Sequence, residues 1–112
     1  TTGGFTLAAG VASSVDAPFR IFVADSKLHM SGRLEGSFLP GQILLGTISV
    51  EGLRPGFTRQ TIGVVQGNYG IARIEISTTG KVYMLLNNRA ESPGPFTWVD
   101  LDMTWFWITK VP

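Results

Sequence analysis

The feature that most constrains the fold is a pair of alternating segments joined by a short polar turn, GIARIEISTTGKVYMLL at residues 70–86. Apolar side chains occupy every second position on both sides of the turn, namely Ala72, Ile74, Ile76, Val82, Met84 and Leu86. A period of two is typical of strands that bury one face. Gly80 supplies the positive φ that a short hairpin connection needs. The sequence therefore predicts an antiparallel hairpin with one core face.

The other face of this hairpin has a mixed character. It carries a cation, a carboxylate, a phenol and an aliphatic side chain, from Arg73, Glu75, Tyr83 and Leu85. Such a face is neither plainly solvent-facing nor plainly core. Guanidinium and carboxylate groups can bind hydroxyl arrays, and aromatic rings can stack on apolar ligand faces. A solvated ion pair between Arg73 and Glu75, which would contribute little, is the alternative.

The remaining segments are also short and β-rich. Strands are predicted over residues 19–24, 27–34, 42–50, 61–66 and 97–109, with a tight turn at Asp25-Ser26, and no run has convincing helical spacing. We predict a single all-β domain, an antiparallel β-sandwich or barrel of Greek-key or jelly-roll type. Residues 1–16, rich in Gly and small side chains, are expected to form a lead-in or edge segment, and residues 17–112 the β domain.

Composition points to association. Charged residues are 15% of the 112-residue chain, against about 25% in a typical domain, yet the chain carries three Trp and seven Phe. A domain of this size cannot easily bury them all. The segment Trp105-Phe106-Trp107 is apolar on both faces, which favours packing between a core and a neighbouring subunit for two of its three rings, with a ligand platform as the alternative.

Several classes of function are disfavoured. The net charge is +1 without a basic stripe, so nucleic acid is not an expected partner. The chain has no Cys, and therefore neither disulfides nor thiolate metal sites. Its most apolar uncharged run, residues 38–50, is interrupted by Pro40 and is shorter than the roughly 20 residues of a membrane span. Since the chain begins with Thr1, a fragment of a longer protein is expected.

No catalytic constellation stands out. His29 is the sole histidine, and no nucleophile elbow accompanies it. Asp100 and Asp102 could bind a hard cation, but simple solvent exposure is favoured because two carboxylates alone are a weak site. Glu35, Glu51 and Glu75 are among the glutamates available for glycoside hydrolysis, but the sequence does not give the distances between their carboxylates. We expect no enzyme activity, no metal and no cofactor.

The order of these segments resembles a known family. Leu39-Pro40, then LRPG at residues 53–56, TIGVVQG at 61–67 and the alternating hairpin together resemble the C-terminal head domain of bacteriophage receptor-binding proteins, from tail-fibre and baseplate tips of phages that infect Gram-positive bacteria. The resemblance covers residues 19–109. It implies a homotrimer of β heads at the distal, extracellular end of a phage tail. It also implies other tail or baseplate proteins as partners, contacted through sequence before Thr1.

The resemblance further implies a saccharide ligand, cell-wall polysaccharide or teichoic acid. It places a family His on Arg73, a family Asp on Glu75 and a family Trp on Leu85, with Tyr83 on the same face. Because Leu85 is not aromatic, Tyr83 or one of Trp98, Trp105 and Trp107 is expected to supply the ring. Trp98 and Asp100 of the last segment are included as candidate saccharide ligands. The alternative functions are a structural trimerisation or capping domain of a tail protein, and a bacterial carbohydrate-binding module.

Overall fold

In a computed structural model of the chain, residues 4–66, 69–87 and 94–108 are described. This part contains eleven strands and one short 3₁₀ helix, Glu51–Leu53. The strands are β1 Phe5–Leu7, β2 Ala12–Ser13, β3 Arg20–Ala24, β4 Lys27–Ser31, β5 Arg33–Phe38, β6 Gly41–Ile48, β7 Arg59–Val65, β8 Gly70–Ile76, β9 Lys81–Leu86, β10 Phe96–Asp100 and β11 Trp105–Trp107. None of the described helices is long and apolar enough to cross a bilayer.

The strands form two antiparallel sheets. The large sheet has the order β1-β6-β9-β8-β7-β10-β5-β2, and the small sheet has the order β11-β4-β3. The two sheets enclose one hydrophobic core in a nearly closed barrel or sandwich, with Phe5, Leu28, Leu34, Ile74 and Met84 among its buried side chains. The predicted all-β antiparallel fold is confirmed.

The β8–β9 hairpin has the predicted single core face. Ile74 lies opposite Met84 and Ile76 opposite Val82, and the alternating apolar side chains of both strands are buried. The turn is closed by a hydrogen bond from Gly80 N–H to Ser77 O of 2.9 Å, and Gly80 has a φ of +85°. The period of two therefore located this element correctly.

The strand predicted over residues 27–34 is broken at Gly32. β4 belongs to the small sheet and β5 to the large one, so the chain changes sheets at this residue. Gly32 has a φ of +92°, and a Cβ there would lie 2.1 Å from the carbonyl oxygen of Pro18. Only glycine fits this crossing.

The single strand predicted over residues 97–109 is wrong, although Thr109 itself lies outside the described residues. β10 pairs in the large sheet and β11 in the small sheet, with a turn between them. The turn is fixed by hydrogen bonds from Leu101 N–H to Gly32 O and from Thr104 Oγ1 to Ile62 O. It reverses the alternation, so Phe106 is buried while Trp105 and Trp107 face outward.

The described part of the lead-in packs into the large sheet. β1 pairs with β6 and β2 with β5, so these strands form the two edges of that sheet. Phe5 is 1% exposed, and its ring lies 4.9 Å from that of Phe19. The domain boundary at residue 16 stays a prediction.

Candidate functional site

The mixed face of the β8–β9 hairpin lies on the outside of the large sheet. Arg73 is directly opposite Leu85, and Glu75 is directly opposite Tyr83. Side chains that face each other in this way have Cβ atoms about 5 Å apart. The structure thus brings together the four hairpin residues that the sequence singled out.

The polar groups of this face are available. Arg73 is exposed, and Glu75 is half-buried between its neighbours. Among the described residues the ion pair within 4.0 Å is Arg33–Asp100, so Arg73 and Glu75 do not form the solvated salt bridge considered above. A guanidinium and a carboxylate two residues apart, each without such a partner, can both accept a ligand.

A depression of about 270 Å³ adjoins this face. Arg73 and Leu85 line it, together with Ile71 and Asn87 at the ends of the two strands. The buried ring of Tyr69, which also lines it, packs edge-on against Phe96 at 5.1 Å. The wall of the depression is therefore held by core packing. Glu75 and Tyr83 form the next pair on the same face, two residues further along the hairpin.

Trp98 and Asp100 form a separate cluster. Asp100 lies opposite Arg33 of β5, with Arg33 Nε 2.7 Å from Asp100 Oδ1, and the Arg33 guanidinium lies 3.8 Å from the centre of the Trp98 ring. The hydrogen bond to Asp100 raises the pKa of Arg33 above its ordinary value. β7 separates β10 from β8, which places the two groups about 10 Å apart across the sheet. The structure does not bring Trp98 and Asp100 into contact with Glu75.

Arg33 was not singled out by the sequence. Its position in an alternating run showed on which face of the strand its side chain lies. Its partner Asp100, however, is 67 residues away, and only the sheet register brings the two side chains together. Asp102, the other carboxylate of the proposed cation pair, accepts a hydrogen bond from Gly32 N–H at 2.8 Å. No group of three or more potential metal-ligating His, Asp or Glu occurs among the described residues.

A second ligand-sized feature lies where β7 and β11 approach each other. This cleft, of about 430 Å³, is lined by Arg59, Gln60, Thr61, Ile62, Met103, Trp105, Phe106 and Trp107. The sequence had raised the three aromatic residues as a possible platform but had not included Arg59.

The outer face of the small sheet continues from the cleft. His29 lies opposite both Trp105 and Phe22, and it stacks on Phe22 at 5.1 Å. Trp105 is 43% and Trp107 48% exposed. The ammonium of Lys27 lies 4.8 and 4.7 Å from the centres of their rings. His29 thus occupies a surface position, as the sequence suggested.

Comparisons with known proteins bear on the fold. No protein-family model matches the chain, and no curated protein sequence matches it. Among solved structures, the chain is similar to the head domain of phage bIL170. The report of that crystal structure asks whether the receptor binding domains of lactococcal phages share a common fold. The two are 16% identical, with a TM-score of 0.62, over 93% of this chain and 94% of that one. The expectation that the chain shares the fold of such heads is confirmed.

Proposed function

We propose that this chain is a non-enzymatic receptor-binding head of a bacteriophage tail, and that it recognises a carbohydrate of the host envelope through the outer face of β8 and β9. The observation that carries the proposal is the pairing of Arg73 with Leu85 and of Glu75 with Tyr83 on one face. The shared fold with the bIL170 head supports the same role. The proposed location is the distal end of the virion tail.

The chemistry of this face suits a sugar. The carboxylate of Glu75 accepts hydrogen bonds from adjacent hydroxyls, and the guanidinium of Arg73 donates to hydroxyl or phosphate oxygens. Tyr83 and Leu85 offer apolar surface to the C–H face of a pyranose. The depression beside Arg73 adds a concave boundary on one side. A cell-wall polysaccharide or a teichoic acid presents all of these groups.

A structural role in tail assembly is the second candidate. It is favoured by the exposed aromatic side chains of the small sheet, Phe22, Trp105 and Trp107, which are 42–48% exposed in the single chain. A homotrimer, or contact with another tail or baseplate protein, would cover apolar surface of this kind. In that case the β8–β9 face would have no ligand.

Replacement of Glu75 tests the proposed site. We expect Glu75→Ala to weaken binding to envelope polysaccharide by about 1–3 kcal/mol, because a charged hydrogen-bonding group is lost. This corresponds to an affinity loss of about 5- to 150-fold. The measurement is calorimetric titration with the fraction, from a panel of Gram-positive surface polysaccharides, that the wild-type head binds.

Glu51→Ala is the matched control, since Glu51 is an exposed glutamate in the 3₁₀ helix, outside the large sheet. It should bind like wild type. Both variants should keep the wild-type melting temperature and mass. Wild-type affinity of a folded Glu75→Ala protein would contradict the proposed site.

A further inference from the structure

The cleft between β7 and β11 combines aromatic surface with hydrogen-bonding groups. Trp105 and Trp107 contribute indole rings, and Gln60 and Thr61 contribute an amide and a hydroxyl. Its volume of about 430 Å³ lies within the usual range for small-molecule sites. The cleft exists because the chain turns away from β7 after Asp100 and resumes as β11 in the other sheet.

One group in this cleft has an unmet hydrogen bond. The Nε of Arg59 is buried and makes no hydrogen bond within the described part of the chain. The Arg59 guanidinium stacks on Phe57 at 3.8 Å, which orients it without satisfying its donors. The Nη groups of the same guanidinium are not enclosed in this way, so a ligand oxygen would bind them rather than the buried Nε.

The charged group that lines the cleft is positive, and the nearest carboxylate on β8, Glu75, lies opposite Gln60 outside the lining. None of its lining residues is acidic, and Arg59 is the charged one among them. The ammonium of Lys27, held against the indoles of Trp105 and Trp107, adds a second positive charge nearby. The cleft therefore favours an anion at one end and an apolar ring face at the other.

We propose that this cleft is a second ligand site, which takes a pyranose bearing a phosphate or carboxylate group. The anionic group receives hydrogen bonds from Arg59, the ring lies against Trp105 or Trp107, and its hydroxyls bind Gln60 and Thr61. The site does not depend on the β8–β9 face. It borders that face, however, because Gln60 lies opposite Glu75 and Ile62 opposite Arg73. One glycan chain could span both sites.

The indole N–H signals of the three tryptophans provide a direct readout. We would titrate the 112-residue chain with glucose 6-phosphate, glucuronate, glucose and inorganic phosphate, and follow these signals by NMR. The proposal predicts that the two anionic sugars shift Trp105 or Trp107 at lower concentrations than glucose or inorganic phosphate do. Trp98, which lies on β10 under Arg33, should not shift. A comparison of the two anionic sugars identifies the preferred anion.

Arg59→Gln tests the anion contact, with Arg20→Gln as a matched control that removes one positive charge outside the cleft. We expect Arg59→Gln to weaken binding of the anionic sugars at least about tenfold, while the dispersed indole spectrum reports an intact fold. Arg20→Gln should bind like wild type.

Three outcomes would overturn the proposal. They are the absence of indole shifts with all four probes, equal affinity of Arg59→Gln and wild type, and shifts restricted to Trp98. A Trp107→Ala variant adds a fourth test by light scattering. Loss of an oligomer present in the wild type would identify the cleft as a contact between copies of the chain rather than a ligand site.

Discussion

At the scale of single residues, two glycines with similar backbone angles should differ strongly in their tolerance of a side chain. Gly32 and Gly10 have φ values of +92° and +80°, but a Cβ meets backbone of Pro18 and Phe19 at Gly32 and open space at Gly10. We predict that Gly32→Ala lowers the free energy of unfolding by about 4 kcal/mol or more, which includes failure to fold. Gly10→Ala should cost about 1 kcal/mol, from the backbone alone.

Urea denaturation of the two variants measures this difference. Equal destabilisation would show that the sheet crossing at Gly32 is not as tight as described. Gly32 also shows a requirement for glycine that the local sequence does not predict. The role of Gly80 was predicted because its turn is flanked by alternating strands, whereas the need for Gly32 arises from Pro18, a residue 14 positions away that only the tertiary fold brings close.

At the scale of secondary-structure elements, we expect the stability of β11 to depend on the ammonium group of Lys27. β11 has three residues and pairs with β4, and Lys27 of β4 lies against the rings of both Trp105 and Trp107. We predict that Lys27→Ala lowers the free energy of local opening of β11 by about 0.5–2 kcal/mol. The global melting temperature should change little.

Hydrogen exchange of the Ile108 amide, which bonds to Ser26 O at 3.0 Å, reports this opening. Lys81→Ala is the control, because Lys81 is an exposed lysine on β9 without such ring contacts. Unchanged protection at Ile108 in the Lys27 variant would contradict the prediction.

The strands also show how far the alternation of apolar and polar residues can predict the secondary structure. Where the alternation was uniform, over residues 70–86, the sequence predicted the hairpin, its turn and its buried face. Over residues 97–109 the alternation continues through Leu101 and Met103, so the sequence predicted one strand. The break is imposed by the Thr104 hydroxyl, whose partner Ile62 lies on β7, and by the Leu101 amide, whose partner Gly32 lies at the bend between β4 and β5. The sites show the same limit of sequence-based prediction. Arg73 and Glu75 share one strand, so the sequence placed them together. Arg59 and Trp107 lie on strands of different sheets and line one cleft only in the tertiary fold.

At the scale of the whole molecule, association is the first prediction. The low charge content and the exposed aromatic side chains lead us to expect a homotrimer, of three times the 12.1 kDa chain mass. Because burial of apolar surface is little affected by screening, the trimer should persist from low salt to about 1 M sodium chloride. Light scattering at micromolar concentration measures the mass, and a monomer under these conditions would contradict the prediction.

Binding of the protein to a host-surface carbohydrate can be tested directly on intact cells. Fluorescently labelled head would be added to a panel of Gram-positive bacteria, including lactococci, before and after protease treatment of the cells and before and after chemical removal of their surface polysaccharide. We expect that the protein labels at least one strain, that labelling survives protease treatment, and that labelling is lost when the polysaccharide is removed. Labelling that is abolished by protease but survives removal of the polysaccharide, or no labelling of any strain, would contradict this expectation.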